Sequence, residues 1–139
     1  MIHQRSQRGF SLIELLLVVT IVAILAAVGV PSLIKARQAA EKGATVAVLR
    51  TVHTNQLMYY SHYGRYARLN ELNTSTGNTL GTTVGTRIFR GSYFFILTPS
   101  PSDTSLKTRY QIVAYRVDRR FSIPAFLMNQ SGTIQTLLP

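Results

Sequence analysis

From Phe10 to Val30 the chain reads FSLIELLLVVTIVAILAAVGV, a run in which Glu14 is the only charged residue. At ~1.5 Å rise per residue an α-helix of that length spans ~30 Å, the thickness of the hydrocarbon in a bilayer. The run is apolar all round rather than along one stripe. It therefore predicts a helix that crosses a membrane or is packed on every side, not one lying on a small soluble core. In a chain of 139 residues about a hundred remain for one compact domain.

Past Pro31 the pattern turns amphipathic. Ala36, Ala40, Ala44, Val48 and Val52 recur four apart, with Arg37, Glu41, Lys42 and Arg50 on other faces, which predicts that the helix continues. Leu49, Val52 and Leu57 are the bulkier members expected to pack beneath a globular head. Gly29 and Pro31 predict a kink between the halves, because proline removes a backbone donor and clashes with the preceding turn. The apolar period fails at His62-Tyr63-Gly64, so the helix is expected to end near Tyr60 at a length of ~75 Å. The Thr-, Asn- and Gly-rich stretch from Arg65 to Arg90 has no sustained period and reads as a loop. Four strand candidates follow, Ser92–Thr98, Arg109–Val117, Ala125–Met128 and Thr133–Leu137, separated by Pro99-Ser100-Pro101 and Asn129-Gln130-Ser131-Gly132. The expected class is α+β: one long kinked N-terminal helix with a small antiparallel sheet on its C-terminal half. The expected parts are a leader over 1–9, an apolar helix over 10–31, an amphipathic continuation over 32–60 and a head over 61–139.

The leader Met1–Gly9 is polar and basic, and Arg5 and Arg8 lie on the flank that a positive charge holds in the cytoplasm. Two ordinary readings of this N-terminus stand beside the one developed next. A secretory signal peptide would use Ala27-Val28-Gly29 as its small-x-small cleavage site. It would have no use for Glu14, whose charge is costly in an apolar segment. A plain signal anchor would let Glu14 snorkel to the interface, but it leaves Gly9-Phe10 without a role.

The residues Gly9-Phe10-Ser11-Leu12-Ile13-Glu14, followed by Pro31, resemble the type IV filament superfamily of pilins and pseudopilins. Members carry a short basic leader ending in glycine, a phenylalanine that becomes the new N-terminus, a glutamate four residues on, and a proline where Pro31 stands. A weaker likeness covers Gln56–Leu72. The resemblance implies the pilin fold, cleavage between Gly9 and Phe10 by a dedicated peptidase, and N-methylation of Phe10 by the same enzyme. It further implies a cytoplasmic assembly ATPase, a membrane platform and a homo-oligomeric helical filament. Glu14 then has a partner in the α-amino group of Phe10 on a neighbouring subunit, which makes a buried charge tolerable and sets register. The expected location is the bacterial inner membrane before assembly and the extracellular pilus after it.

Composition narrows the chemistry. With no cysteine there is no disulfide-closed loop. Fifteen Lys and Arg against five Asp and Glu give a net charge of +10, which favours anionic partners such as DNA or acidic surfaces. Arg65 and Arg68, set among Tyr59, Tyr60, Tyr63 and Tyr66, and the cluster Arg116, Arg119 and Arg120 beside Asp118, are candidates for such a surface. Packing of the tyrosines against the head, and a solvated turn, are the plainer readings. His53 and His62 are nine apart without neighbouring cysteine or acids, so no metal site is expected. Only Asp103 and Asp118 follow Glu71, too few oxygen ligands for calcium. No nucleophile–base set, phosphate loop or paired-acid spacing is present, so neither an enzymatic activity nor a cofactor is expected. The leading function is a type IV pilus subunit serving adhesion, motility or DNA uptake. The alternatives are a pseudopilin of a type II secretion system and, from another class, a membrane-anchored binder of nucleic acid or glycans.

Overall fold

The computed structural model describes residues 9–98, 101–117 and 122–137. The chain divides into two compact units, residues through Ala39 and residues from Ala40 onward, and helix α1 (Leu12–Tyr63) has part of its length in each.

In the first unit every residue from Gly9 to Ala39 is exposed. The helical assignment continues without a break through Gly29 and Pro31. An all-helical backbone satisfies its own N–H and C=O groups, the condition for an apolar segment in lipid. The hydroxyl of Thr20 follows the same rule by donating to the Leu16 carbonyl at 2.7 Å.

In the second unit α1 buries Thr45, Val48, Leu49, Val52 and Gln56, a spacing that keeps them on one face of a 3.6-residue period. This departs from the expected stripe, because Ala44 and Leu57 are exposed and Gln56 takes the inward position that Leu57 was expected to fill. α1 ends at Tyr63, three residues beyond Tyr60, where Gly64 turns to φ 65 and donates its N–H to the Tyr60 carbonyl at 2.9 Å.

The stretch 65–90 is more ordered than its composition suggests. It holds a second helix, α2 (Leu69–Ser75), and two strands, β1 (Thr82–Val84) and β2 (Arg87–Arg90). α2 is too short to show a helical period, and the two strands are too short to show alternation. β1 and β2 are joined by Gly85-Thr86, and β2 and β3 (Tyr93–Leu97) by Gly91-Ser92, two-residue hairpin turns with glycine first.

β4 (Gln111–Val117), β5 (Ser122–Asn129) and β6 (Ile134–Thr136) complete an antiparallel meander in the order β1-β2-β3-β4-β5-β6. These and β3 lie where strands were expected, except that β5 begins earlier, at Ser122. A register shift at Ala114/Tyr115 opposes Tyr115 to Pro124, and β6 pairs only with Phe126–Met128. Pro124 therefore sits beside a bulge, and among the described residues no β6 partner faces it, so that its missing N–H costs no ladder bond there. One face of the sheet supplies Phe95, Leu97, Ile112, Ala114, Phe126 and Met128 to a single core with Val48, Leu49 and Val52 of α1.

Candidate functional site

The N-terminal unit presents an apolar surface with almost nothing of its own to cover it. Phe10 is 83% exposed, and Leu12, Ile13, Leu15, Leu16 and Leu17 are exposed behind it. The apolar part of α1 is not buried within the chain, and the helix is long and apolar enough to cross a membrane. Glu14 lies in the first turn of α1, where the positive end of the helix dipole favours a carboxylate. Among the described residues nothing lies within 4 Å of a Cβ placed on Gly9 or Gly29. Packing among the described residues thus does not require glycine at either position.

A family model described as the prokaryotic N-terminal methylation motif matches residues 4–30, the segment that holds Gly9, Phe10 and Glu14. A curated relative, the type IV wide pilus major component PilA4 of Thermus thermophilus, is 47% identical over 55 residues. Over these stretches the chain is similar to type IV pilins. The stretch shared with the relative is 40% of this chain and 42% of that protein's length, so the similarity to that pilin covers less than half of either. The long N-terminal helix and the antiparallel sheet are those of the α+β pilin fold.

On the head, the candidate cations Arg65 and Arg68 share the carboxylate of Glu71. Arg65 donates to both oxygens of Glu71, at 2.9 and 3.3 Å, and to the Tyr66 carbonyl at 3.1 Å, with its guanidinium over the Tyr59 ring. Arg68 pairs with Asp103 at 2.7 Å and approaches Glu71 at 3.6 Å. Glu71 also accepts the backbone N–H of Arg68 at 3.0 Å, closing the start of α2. Burial alone would raise the Glu71 carboxyl. The bonds from Arg65 and from the Arg68 N–H, with the charges of both arginines, outweigh that and hold it below its ordinary value. The Glu71 hydrogen bond in turn raises Arg65, against a smaller effect of desolvation. Arg65 and Arg68 are thus brought together around acids. Arg116 lies near the C-terminal end of β4, opposite Tyr93 and Ile123, apart from both. Arg5, Arg8, Asp118, Arg119 and Arg120 lie outside the described residues.

The tyrosines form two groups. Tyr59 stacks on Tyr63 with ring centroids 4.3 Å apart, and Tyr60 leads through Tyr66 to Tyr110, which is edge-on at 4.7 Å. Tyr110 is buried and its hydroxyl lies 2.7 Å from Nδ1 of His53; burial pushes its ionisation up. His62 lies instead within hydrogen-bond distance of the Met58 carbonyl. No group of three or more potential metal ligands occurs among the described residues.

Two organising side chains give no signal in the sequence. Gln56 and Asn73 are both fully buried polar residues. Asn73 donates to the Gly81 carbonyl at 2.8 Å and to the Thr83 hydroxyl at 2.7 Å, and accepts the Leu80 N–H at 3.0 Å. It thereby shapes the loop between α2 and β1. The Asn73 amide is thus committed inside the head.

Proposed function

We propose that this chain is a structural subunit of a type IV pilus, made as a precursor, cut between Gly9 and Phe10 and assembled through its N-terminal helix. The observation that carries this reading is the placement of Phe10 and Glu14 at the start of an apolar helical segment that is exposed as far as Ala39, inside the segment matched by the methylation motif. An apolar surface of this extent in a monomer calls for a lipid or protein environment.

In the mechanism, the precursor rests in the bacterial inner membrane with the leader on the cytoplasmic side. A prepilin peptidase removes residues 1–9 and methylates the Phe10 nitrogen, which keeps its positive charge. Glycine at position 9 leaves the cut unobstructed. The Glu14 carboxylate then meets the Phe10 amine of the neighbouring subunit, so that each buried charge has a partner and the axial register is set. Helices in lipid have little hydrophobic drive to associate, so extraction requires the assembly ATPase and its membrane platform. Gly29 and Pro31 weaken α1 near its middle and favour bending or unwinding there on assembly. Heads built like residues 40–139 clothe the filament, which serves attachment, motility or DNA uptake.

Support for a pilus over a type II pseudopilus comes from the Thermus thermophilus relative, a pilus major component. The test is electron microscopy of sheared surface material from cells that make the protein and from cells that lack it. Long filaments containing the chain, and lost with it, are expected. Absence of filaments together with a secretion defect would transfer the chain to the pseudopilins.

A further inference from the structure

On the head, a cavity of about 420 Å³ opens between the loop that precedes β4 and the ends of β3, β4 and β5. Its lining includes Arg109, Gln111, Asn129 and Gln130 over the apolar side chain of Leu127. The register explains the grouping. Gln111 faces Asn129 across β4 and β5, and Leu127 is two residues along from Asn129, so the three share one face of the sheet. Ile112 and Met128 point the other way, into the core.

Three features give this cavity a chemistry. Arg109 is exposed and makes no side-chain hydrogen bond or ion pair among the described residues, unlike Arg65 and Arg68, whose charges meet Glu71 and Asp103. Its backbone is held by donation to the Ser105 carbonyl at 3.0 Å, so the side chain is launched from a fixed turn. The Asn129 Oδ1 accepts the Ser131 N–H and hydroxyl, at 3.1 and 2.6 Å. That orients the amide and leaves its nitrogen free to donate. A cation with a planar fork of donors, carboxamides that both donate and accept, and an apolar floor together suit a ring with a carboxylate, several hydroxyls and one apolar face. The volume lies within the range of small-ligand sites.

We propose that this cavity is a binding site for an acidic sugar, with Arg109 taking the carboxylate, Gln111, Asn129 and Gln130 the hydroxyls, and Leu127 the carbon face of the ring. The site lies wholly on the head, so this assignment does not rest on the filament reading, and it can be examined on unassembled chains.

The test is saturation-transfer NMR on the full-length protein in a sugar-free zwitterionic detergent, with methyl β-D-glucuronide and methyl β-D-glucoside as probes. These differ only in carrying a carboxylate or a hydroxymethyl group. The glucuronide is expected to bind about tenfold or more tightly than the glucoside, the range of one charge-assisted hydrogen bond. Arg109→Gln should abolish that preference without moving the thermal midpoint, and Gln130→Ala should weaken both sugars by a similar, smaller factor. Equal binding of the two sugars, no binding of the glucuronide, or undiminished binding by Arg109→Gln would each overturn the assignment. Should Arg109→Gln fail to fold, the comparison of the two sugars on the unaltered chain and on Gln130→Ala still decides it.

Discussion

Gln56 and Ala67 exchange two hydrogen bonds: the Gln56 amide donates to the Ala67 carbonyl at 2.9 Å, and its oxygen accepts the Ala67 N–H at 2.7 Å. Both residues are fully buried. The chain leaving α1 cannot form regular structure at Ala67, and this side chain takes the place of the missing backbone partner. Gln56→Leu would bury that N–H and carbonyl unsatisfied and should destabilise the head by about 2 to 4 kcal/mol. Thermal or urea unfolding of the full chain, with the partly buried neighbour Tyr59→Leu as a control, measures this.

The carboxylate of Glu71 makes acid a selective stress. Its folded value lies below the ordinary 4.5, so the unfolded chain binds the proton more readily. The stability it contributes is present above about pH 4.5 and is lost as pH falls through the folded value. Glu71→Gln should cost about 1 to 2 kcal/mol at neutral pH. Its thermal midpoint should then fall less than that of the unaltered chain between pH 5 and pH 3, a window chosen to bracket about pH 4.5. Parallel curves would remove Glu71 from the account.

Gly132, in the turn between β5 and β6, lies against His53 of α1. A Cβ at this position would stand 2.7 Å from Nε2 of the imidazole, at a backbone φ of 75. Gly132→Ala should therefore destabilise the head by about 1 to 3 kcal/mol. Part of that cost should disappear in a His53→Ala background, where the contact is gone and only the backbone strain remains. A double-mutant cycle on unfolding free energy reads the coupling.

Glu14→Ala separates assembly from insertion. It removes a charge from an apolar segment, so membrane insertion should be at least as good as before, and cleavage after Gly9 should continue. The Phe10 amine would then meet no carboxylate in the packed helices. Filament yield is expected to fall at least about tenfold, the scale of 1.4 kcal/mol, while the processed subunit accumulates in the membrane. Quantifying the chain in sheared and membrane fractions checks this.

The parts of the molecule that were legible in the sequence are those whose signal is local. The apolar run from Phe10, the Gly9-Phe10 and Glu14 spacing, and the Gly64 stop each lie within a few residues of the feature they specify. β3 and β4 were legible because five to seven residues suffice to display a strand pattern. β1, β2 and α2 were not, since three to seven residues carry no clear period, and the Asn73 amide that ties α2 to Gly81 and Thr83 acts across the fold. Arg65 and Arg68 read as free cations because one of their acids, Asp103, is 35 residues from Arg68 along the chain and reaches it only through the fold. The inward position of Gln56 rather than Leu57 likewise depends on where the chain returns at Ala67.

The most direct measurement is the intact mass and N-terminal residue of the chain recovered from sheared surface filaments, compared with the chain in the membrane of the same cells. The account predicts filaments whose subunit begins at methylated Phe10. A chain beginning near Val30, or one that keeps Met1 and is found in the membrane alone, would contradict it.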